Sequence, residues 1–125
     1  MSFTNVLIVG FGGFLGSIAR FLAVRSIDGR LNSVFPYGTL SVNLIGSFIL
    51  GFAYAYLTRK TGDEQWKIFL GAGFCGGFTT FSAFAWENLN LIQGRLTSVS
   101  LIYIAVSLVG GLLAVTFGAW CSRVL

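Results

Sequence analysis

Three phenylalanines and two adjacent threonines follow a pair of glycines within an uncharged stretch of the chain, residues 68–86. A bilayer-spanning helix normally avoids such a disruption, because each backbone N–H or C=O freed in hydrocarbon costs roughly several kcal/mol. Where a break does occur, it is buried in protein or lines a watery path. The stretch therefore predicts a broken transmembrane helix and a candidate ion site. The residues concerned are Gly76, Gly77, Phe78, Thr79, Thr80, Phe81 and Phe84.

The chemistry available at this depth is that of neutral hydrogen-bond donors. Asn43 offers an amide, and Tyr103 and Ser107 offer hydroxyls, in two other uncharged runs. A phenyl ring has a positive edge, so rings presented edge-on can solvate a small anion without a fixed charge. A half-helix N-terminus would also attract an anion, whereas freed carbonyls could hold a cation instead. Ordinary packing of the rings and interhelical hydrogen bonding of the polar groups remain alternatives.

The composition places the chain among membrane proteins. Of its 125 residues, 55% are hydrophobic and 10% are charged, whereas about a quarter of the residues of soluble domains are charged. The net charge of +4 comes from Lys and Arg scattered singly, with no basic stripe, which excludes nucleic acid as a partner. With no His, four acidic residues and two isolated Cys, a metal site made of side chains is not expected.

Four long apolar runs with few charges predict four transmembrane helices at about 3–24, 36–57, 67–92 and 97–120, each exceeding the roughly 20 residues that cross the hydrocarbon core. Small residues four apart, such as Gly12 and Gly16, predict close helix packing. The fold class is therefore an all-α membrane protein of one domain, residues 1–125, with a broken third helix. Turn-forming residues at 28–30 and 32–33 predict the first connection, and those at 60–63 and 93–95 predict the second and third.

Four spans place both termini and the second connection on one side of the membrane. Each side then carries four basic residues, so the rule that Lys and Arg accumulate in the cytoplasm leaves the orientation undetermined. The equal numbers of basic residues on the two sides either arose by chance or indicate a chain that inserts in both orientations. We predict that it does so and that copies of opposite orientation associate. The two sets are Arg59, Lys60, Lys67 and Arg123 on one side, and Arg20, Arg25, Arg30 and Arg95 on the other.

Three other functions fit the residues less well. A small multidrug exporter of four helices needs a membrane carboxylate, usually in the first span, and that span has none. An enzyme is disfavoured because the chain has no His, no acid pair at depth and no nucleophile elbow. The disrupted third span and the donor-rich spans argue against a structural membrane protein without transport activity.

Three motifs, at residues 12–21, 38–48 and 76–84, closely resemble the signatures of the Fluc (CrcB) family of fluoride channels. The resemblance extends over essentially the whole chain. It implies an antiparallel, dual-topology homodimer with two pores in the inner (plasma) membrane. The channel would conduct fluoride passively and selectively, lower cytoplasmic fluoride and so give fluoride resistance.

The resemblance also implies a pore made of side chains from three spans. Two phenylalanines of the broken helix, an Asn of the second span and a Tyr of the fourth line each pore in the family, and hydroxyls form a polar track. The matching positions are Asn43, Phe81, Phe84, Tyr103, Ser107, Thr80 and Ser82.

Further positions acquire roles by the same resemblance. Arg20 matches an arginine near the aqueous vestibule, and Glu87 matches an acid near a pore mouth whose role stays open. A structural sodium ion lies at the dimer centre in the family, held by backbone carbonyls that match Gly76 and Thr79. The chain departs from the family at Ala83, where a hydroxyl is usual, so its polar track is expected to be shorter or to use Ser82.

Overall fold

The computed structural model describes residues 2–125, which are helical apart from short connections and contain no β-strand. The helices are α1 (Phe3–Leu31), α2 (Tyr37–Lys60), α3 (residues 64–78), α4 (Phe81–Gln93) and α5 (Thr97–Cys121). A π-helical stretch, Ile68–Cys75, makes up the middle of α3, and a short turn, Ser122–Val124, follows α5.

Within residues 2–125, four parts are long and apolar enough to cross a membrane: α1, α2, α3 together with α4, and α5 with its last turn. This result confirms the predicted all-α membrane fold with four spans. In the described part of the chain, α2 packs mainly on α5, and α1 packs mainly on α3. The site described below lies where these two pairs meet.

The first connection differs from its prediction. The helix α1 continues to Leu31, past the expected end near residue 24, so the turn predicted at 28–30 is wrong. The Asp28 carboxylate accepts a hydrogen bond from the Gly38 N–H at 2.9 Å and so caps the start of α2, whose preceding Pro36 provides no cap. The turn predicted at 32–33 is confirmed, because α1 ends at Asn32, which has left-handed dihedral angles (φ 46°, ψ 48°).

Glycines let the helix backbones approach each other closely. A Cβ atom on Gly12 would lie 2.6 Å from the Phe69 carbonyl oxygen, and one on Gly77 would lie 2.6 Å from that of Gly13. On the other pair, Gly51 of α2 faces the backbone of α5 in the same way. Backbone contact of this kind is the usual use of small residues between membrane helices.

Replacing Gly77 with alanine is expected to destabilise the protein by about 1–3 kcal/mol, the usual cost of overpacking. The new methyl group would meet the Gly13 backbone, which cannot rotate away as a side chain would. Thermal unfolding of the purified protein in detergent measures the effect. Gly10→Ala is the control, since among residues 2–125 no atom beyond the neighbouring backbone of the same helix lies within 4 Å of a Cβ at that position. Equal unfolding temperatures for the two variants would contradict the tight contact.

Candidate functional site

The helical backbone is interrupted between α3 and α4, at Thr79 (φ −92°, ψ 161°) and Thr80 (φ −150°, ψ 122°). In a continuous helix the Gly76 carbonyl would accept from the Thr80 N–H, and the Thr79 carbonyl would accept from the Ala83 N–H. Here the Thr80 N–H donates to Asn43 Oδ1 at 2.8 Å, and the Ala83 N–H donates to Thr80 Oγ1 at 3.2 Å. The two carbonyls have therefore lost their helical donors.

Side chains from α1 and α2 hold the interruption in place. Asn43 Nδ2 donates to the Thr80 carbonyl at 3.1 Å, so this amide bonds both backbone groups of one residue. Arg20 Nε donates to the Gly77 carbonyl at 2.9 Å, near the end of α3. Because a free backbone group is costly in hydrocarbon, these side chains make the interrupted backbone tolerable inside a membrane.

A cavity of about 350 Å³ opens beside the interruption. The second, third and fourth spans all contribute to its wall, so the structure brings most of the sequence-predicted site residues together. Three of them, Arg20, Ser82 and Tyr103, lie outside the lining. The predicted site residues that line the cavity are Asn43, Gly76, Thr79, Thr80, Phe81, Phe84 and Ser107.

The two phenylalanines of α4 are adjacent in the cavity wall. Their ring centroids lie 5.8 Å apart, and the Phe81 side chain is 77% exposed in the single chain. The Phe84 ring meets the Tyr103 ring edge-on, with centroids 5.0 Å apart. Ser107 also lines the cavity, and its Oγ is buried and has no hydrogen-bond partner within residues 2–125. The wall therefore combines aromatic rings with a free hydroxyl.

Tyr103 does not present its hydroxyl to this cavity. The side chain is fully buried, and its hydroxyl donates to Glu87 Oε1 at 2.8 Å. The Thr39 hydroxyl donates to the other oxygen, Oε2, at 2.6 Å. The sequence left the role of Glu87 open, and Thr39, a polar residue of the second span, was not among the predicted site residues. Thr39 and Glu87 are 48 residues apart, so no local pattern signals their pairing.

The remaining predicted residues lie at the edge of the site. Ser82 is exposed, with its Oγ 3.5 Å from Thr80 Oγ1. Arg20 is part-buried and reaches the site from α1 only through the Gly77 carbonyl. Thr79 turns its hydroxyl back to the Cys75 carbonyl at 2.8 Å, so that this O–H is not available as a donor to the site.

Comparison with known proteins identifies the family. A family model described as "CrcB-like protein, Camphor Resistance (CrcB)" matches residues 7–119. A protein of Leptospira interrogans named "Fluoride-specific ion channel FluC" is 42% identical over 117 residues, covering 93% of this chain and 92% of the relative. A protein of the same name from Bacteroides fragilis is 38% identical, covering 93% of this chain and 94% of the relative. Another from Campylobacter fetus is 41% identical, covering 100% of this chain and 98% of the relative. These matches confirm the resemblance of the three motifs, and the chain belongs to the CrcB-like family.

Proposed function

We propose that this protein is a fluoride-selective ion channel, a multi-pass membrane protein that exports fluoride passively and lowers its cytoplasmic concentration. The observation that carries the proposal is the cavity beside the interrupted helix, whose wall holds the Phe81 and Phe84 rings and the unpartnered Ser107 hydroxyl. Relatives about 40% identical over nearly the whole chain are named fluoride-specific ion channels. The proposed activity is that of a channel and involves no enzymatic step.

The chemistry of the wall suits a small, strongly hydrated anion. Among the described residues, those that line the cavity include no charged side chain, so no fixed charge would trap the ion. Ser107 can donate its hydroxyl, and Asn43 keeps one amide N–H beyond its bond to Thr80. Ring edges supply the rest of the lost hydration shell. Binding at each position stays weak enough for the ion to leave.

Arg20 would act at the aqueous vestibule. Its guanidinium bonds the Gly77 carbonyl through Nε, and its two terminal nitrogens are not needed for that bond. A positive charge near the mouth raises the local concentration of anions. Salt screens that attraction, so the contribution of Arg20 to fluoride entry would fall as ionic strength rises.

The pore would be completed by a second copy inserted in the opposite direction. The Phe81 ring is largely exposed on the single chain, as the wall of a site shared between two chains would be. The equal division of basic residues between the two sides of the membrane permits both orientations. An antiparallel homodimer in the inner membrane would then hold two pores, each using the broken third helix.

A structural sodium ion would lie at the centre of this dimer. The carbonyls of Gly76 and Thr79 have lost their helical donors and border the cavity, so they fit a cation that needs oxygen ligands. Two copies together would supply four such oxygens. When bound, the ion would neutralise the partial negative charge of the freed carbonyls and link the subunits.

Fluoride efflux from liposomes tests the proposal. Vesicles containing the purified protein and loaded with fluoride are diluted, and a fluoride electrode follows release, with protein-free vesicles as the control. We expect rapid release of fluoride and no comparable release of chloride or bromide. Absence of fluoride release would favour a structural membrane protein, and equal release of the halides would refute selectivity.

A further inference from the structure

A buried amide holds α4 against α5 away from the cavity. Asn88 and Leu91 are the buried residues of α4, and Asn88 is only 7% exposed. The Ser100 hydroxyl of α5, which is 1% exposed, donates to Asn88 Oδ1 at 2.8 Å. In a low-dielectric interior such a bond is costly to lose, because it leaves a polar group without a partner.

The amide nitrogen of Asn88 also forms a hydrogen bond. Asn88 Nδ2 donates to the Phe84 carbonyl at 2.9 Å, one turn earlier on α4. The amide oxygen therefore points to α5 and the nitrogen to the Phe84 backbone, and a flipped amide would place its oxygen against the Phe84 carbonyl oxygen, two acceptors together. One side chain thus connects Ser100 to the backbone that carries the Phe84 ring.

Asn88 is one of two polar connections between α4 and α5. The adjacent Glu87 accepts from Tyr103, which lies three residues after Ser100 and on the same face of α5. Successive residues of a helix are about 100° apart, so bonds from two adjacent positions oppose rotation of α4 in both directions. Rotation of α4 would move the Phe84 ring, which lines the cavity and meets the Tyr103 ring edge-on.

We propose that Asn88 is a positioning residue for fluoride conduction. Its bonds to Ser100 and to the Phe84 carbonyl set the rotation of α4 and so hold the Phe84 ring at the cavity wall. Asn88 does not line the cavity itself and acts only through Phe84. This inference rests on the proposed channel function.

The test compares Asn88→Leu and Ser100→Ala with two controls, Asn90→Leu and Ser98→Ala, which change exposed residues of the same helices. Liposome assays report the efflux rate of active vesicles separately from the fraction of vesicles that empty. We expect the rate in active vesicles to fall about tenfold in Asn88→Leu, and less in Ser100→Ala, since a lost buried hydrogen bond has effects of this size. The ratio of fluoride to chloride permeation should fall with it.

A purely structural role makes a different prediction. It would lower the fraction of emptied vesicles and the unfolding temperature while leaving the rate and the halide ratio of active vesicles unchanged, and that result would overturn the inference. If Asn88→Leu does not assemble, Ser100→Ala decides, because it removes one hydroxyl and leaves the bond to the Phe84 carbonyl intact. Wild-type protein without fluoride flux would refute the channel function itself, whereas conducting wild type with unaffected variants would refute only the role of Asn88.

Discussion

Replacing Asn43 with aspartate is expected to lower the fluoride efflux rate by at least about 100-fold. This corresponds to a rise of about 2.7 kcal/mol in the free-energy barrier to conduction. Aspartate could not donate to the Thr80 carbonyl, to which Asn43 Nδ2 now donates at 3.1 Å. When ionised it would also place a negative charge in a cavity wall that has none, and like charges brought together cost several kcal/mol, roughly. The change therefore combines repulsion of the anion with loss of a bond that holds the interrupted backbone.

Efflux from liposomes measures the rate, and size-exclusion chromatography shows whether the variant still assembles. Asn5→Asp is a matched control, because it introduces the same charge near the start of α1, where a negative charge suits the helix dipole. Asn43→Asp protein that assembles and conducts fluoride at the wild-type rate would show that Asn43 has no part in the pore.

Replacing both Phe81 and Phe84 with isoleucine is expected to reduce fluoride efflux by about 100-fold or more. Isoleucine keeps the apolar character of the wall but removes the positively polarised ring edges that would replace water around the ion. The loss of a few favourable contacts of roughly 1 kcal/mol each is enough for an effect of this size. The single variants are expected to have smaller effects, because each leaves one ring in the cavity wall.

The fluoride electrode gives the rate, and an unfolding curve in detergent excludes general destabilisation. A double variant with Ile at Phe3 and Phe14, two strongly exposed rings of α1, is the control for the loss of aromatic surface. Wild-type efflux in the double variant of α4 would reject the proposed part of the ring edges in conduction, even if the protein proves to be a fluoride channel.

Local properties of the sequence were sufficient to predict the class of protein and the location of its membrane-spanning helices. Hydropathy over about 20 residues depends only on neighbouring side chains, so the four membrane-spanning stretches could be predicted without knowledge of their packing. The motifs around Asn43 and Phe81 were sufficient to identify the family. Hydropathy could not show that α1 continues past residue 24, because its last turns contain polar residues, among them Asp28, whose carboxylate bonds Gly38 at the start of another helix.

The tertiary structure decided which polar groups form hydrogen bonds with one another. The sequence determined that Asn43, Tyr103 and Glu87 lie in apolar segments, but not that Asn43 bonds the Thr80 backbone or that Tyr103 donates to Glu87. Such partners depend on how helices distant in sequence rotate and approach each other. That arrangement follows from the close backbone contacts at glycines such as Gly12 and from the need to satisfy every polar group in a medium without water.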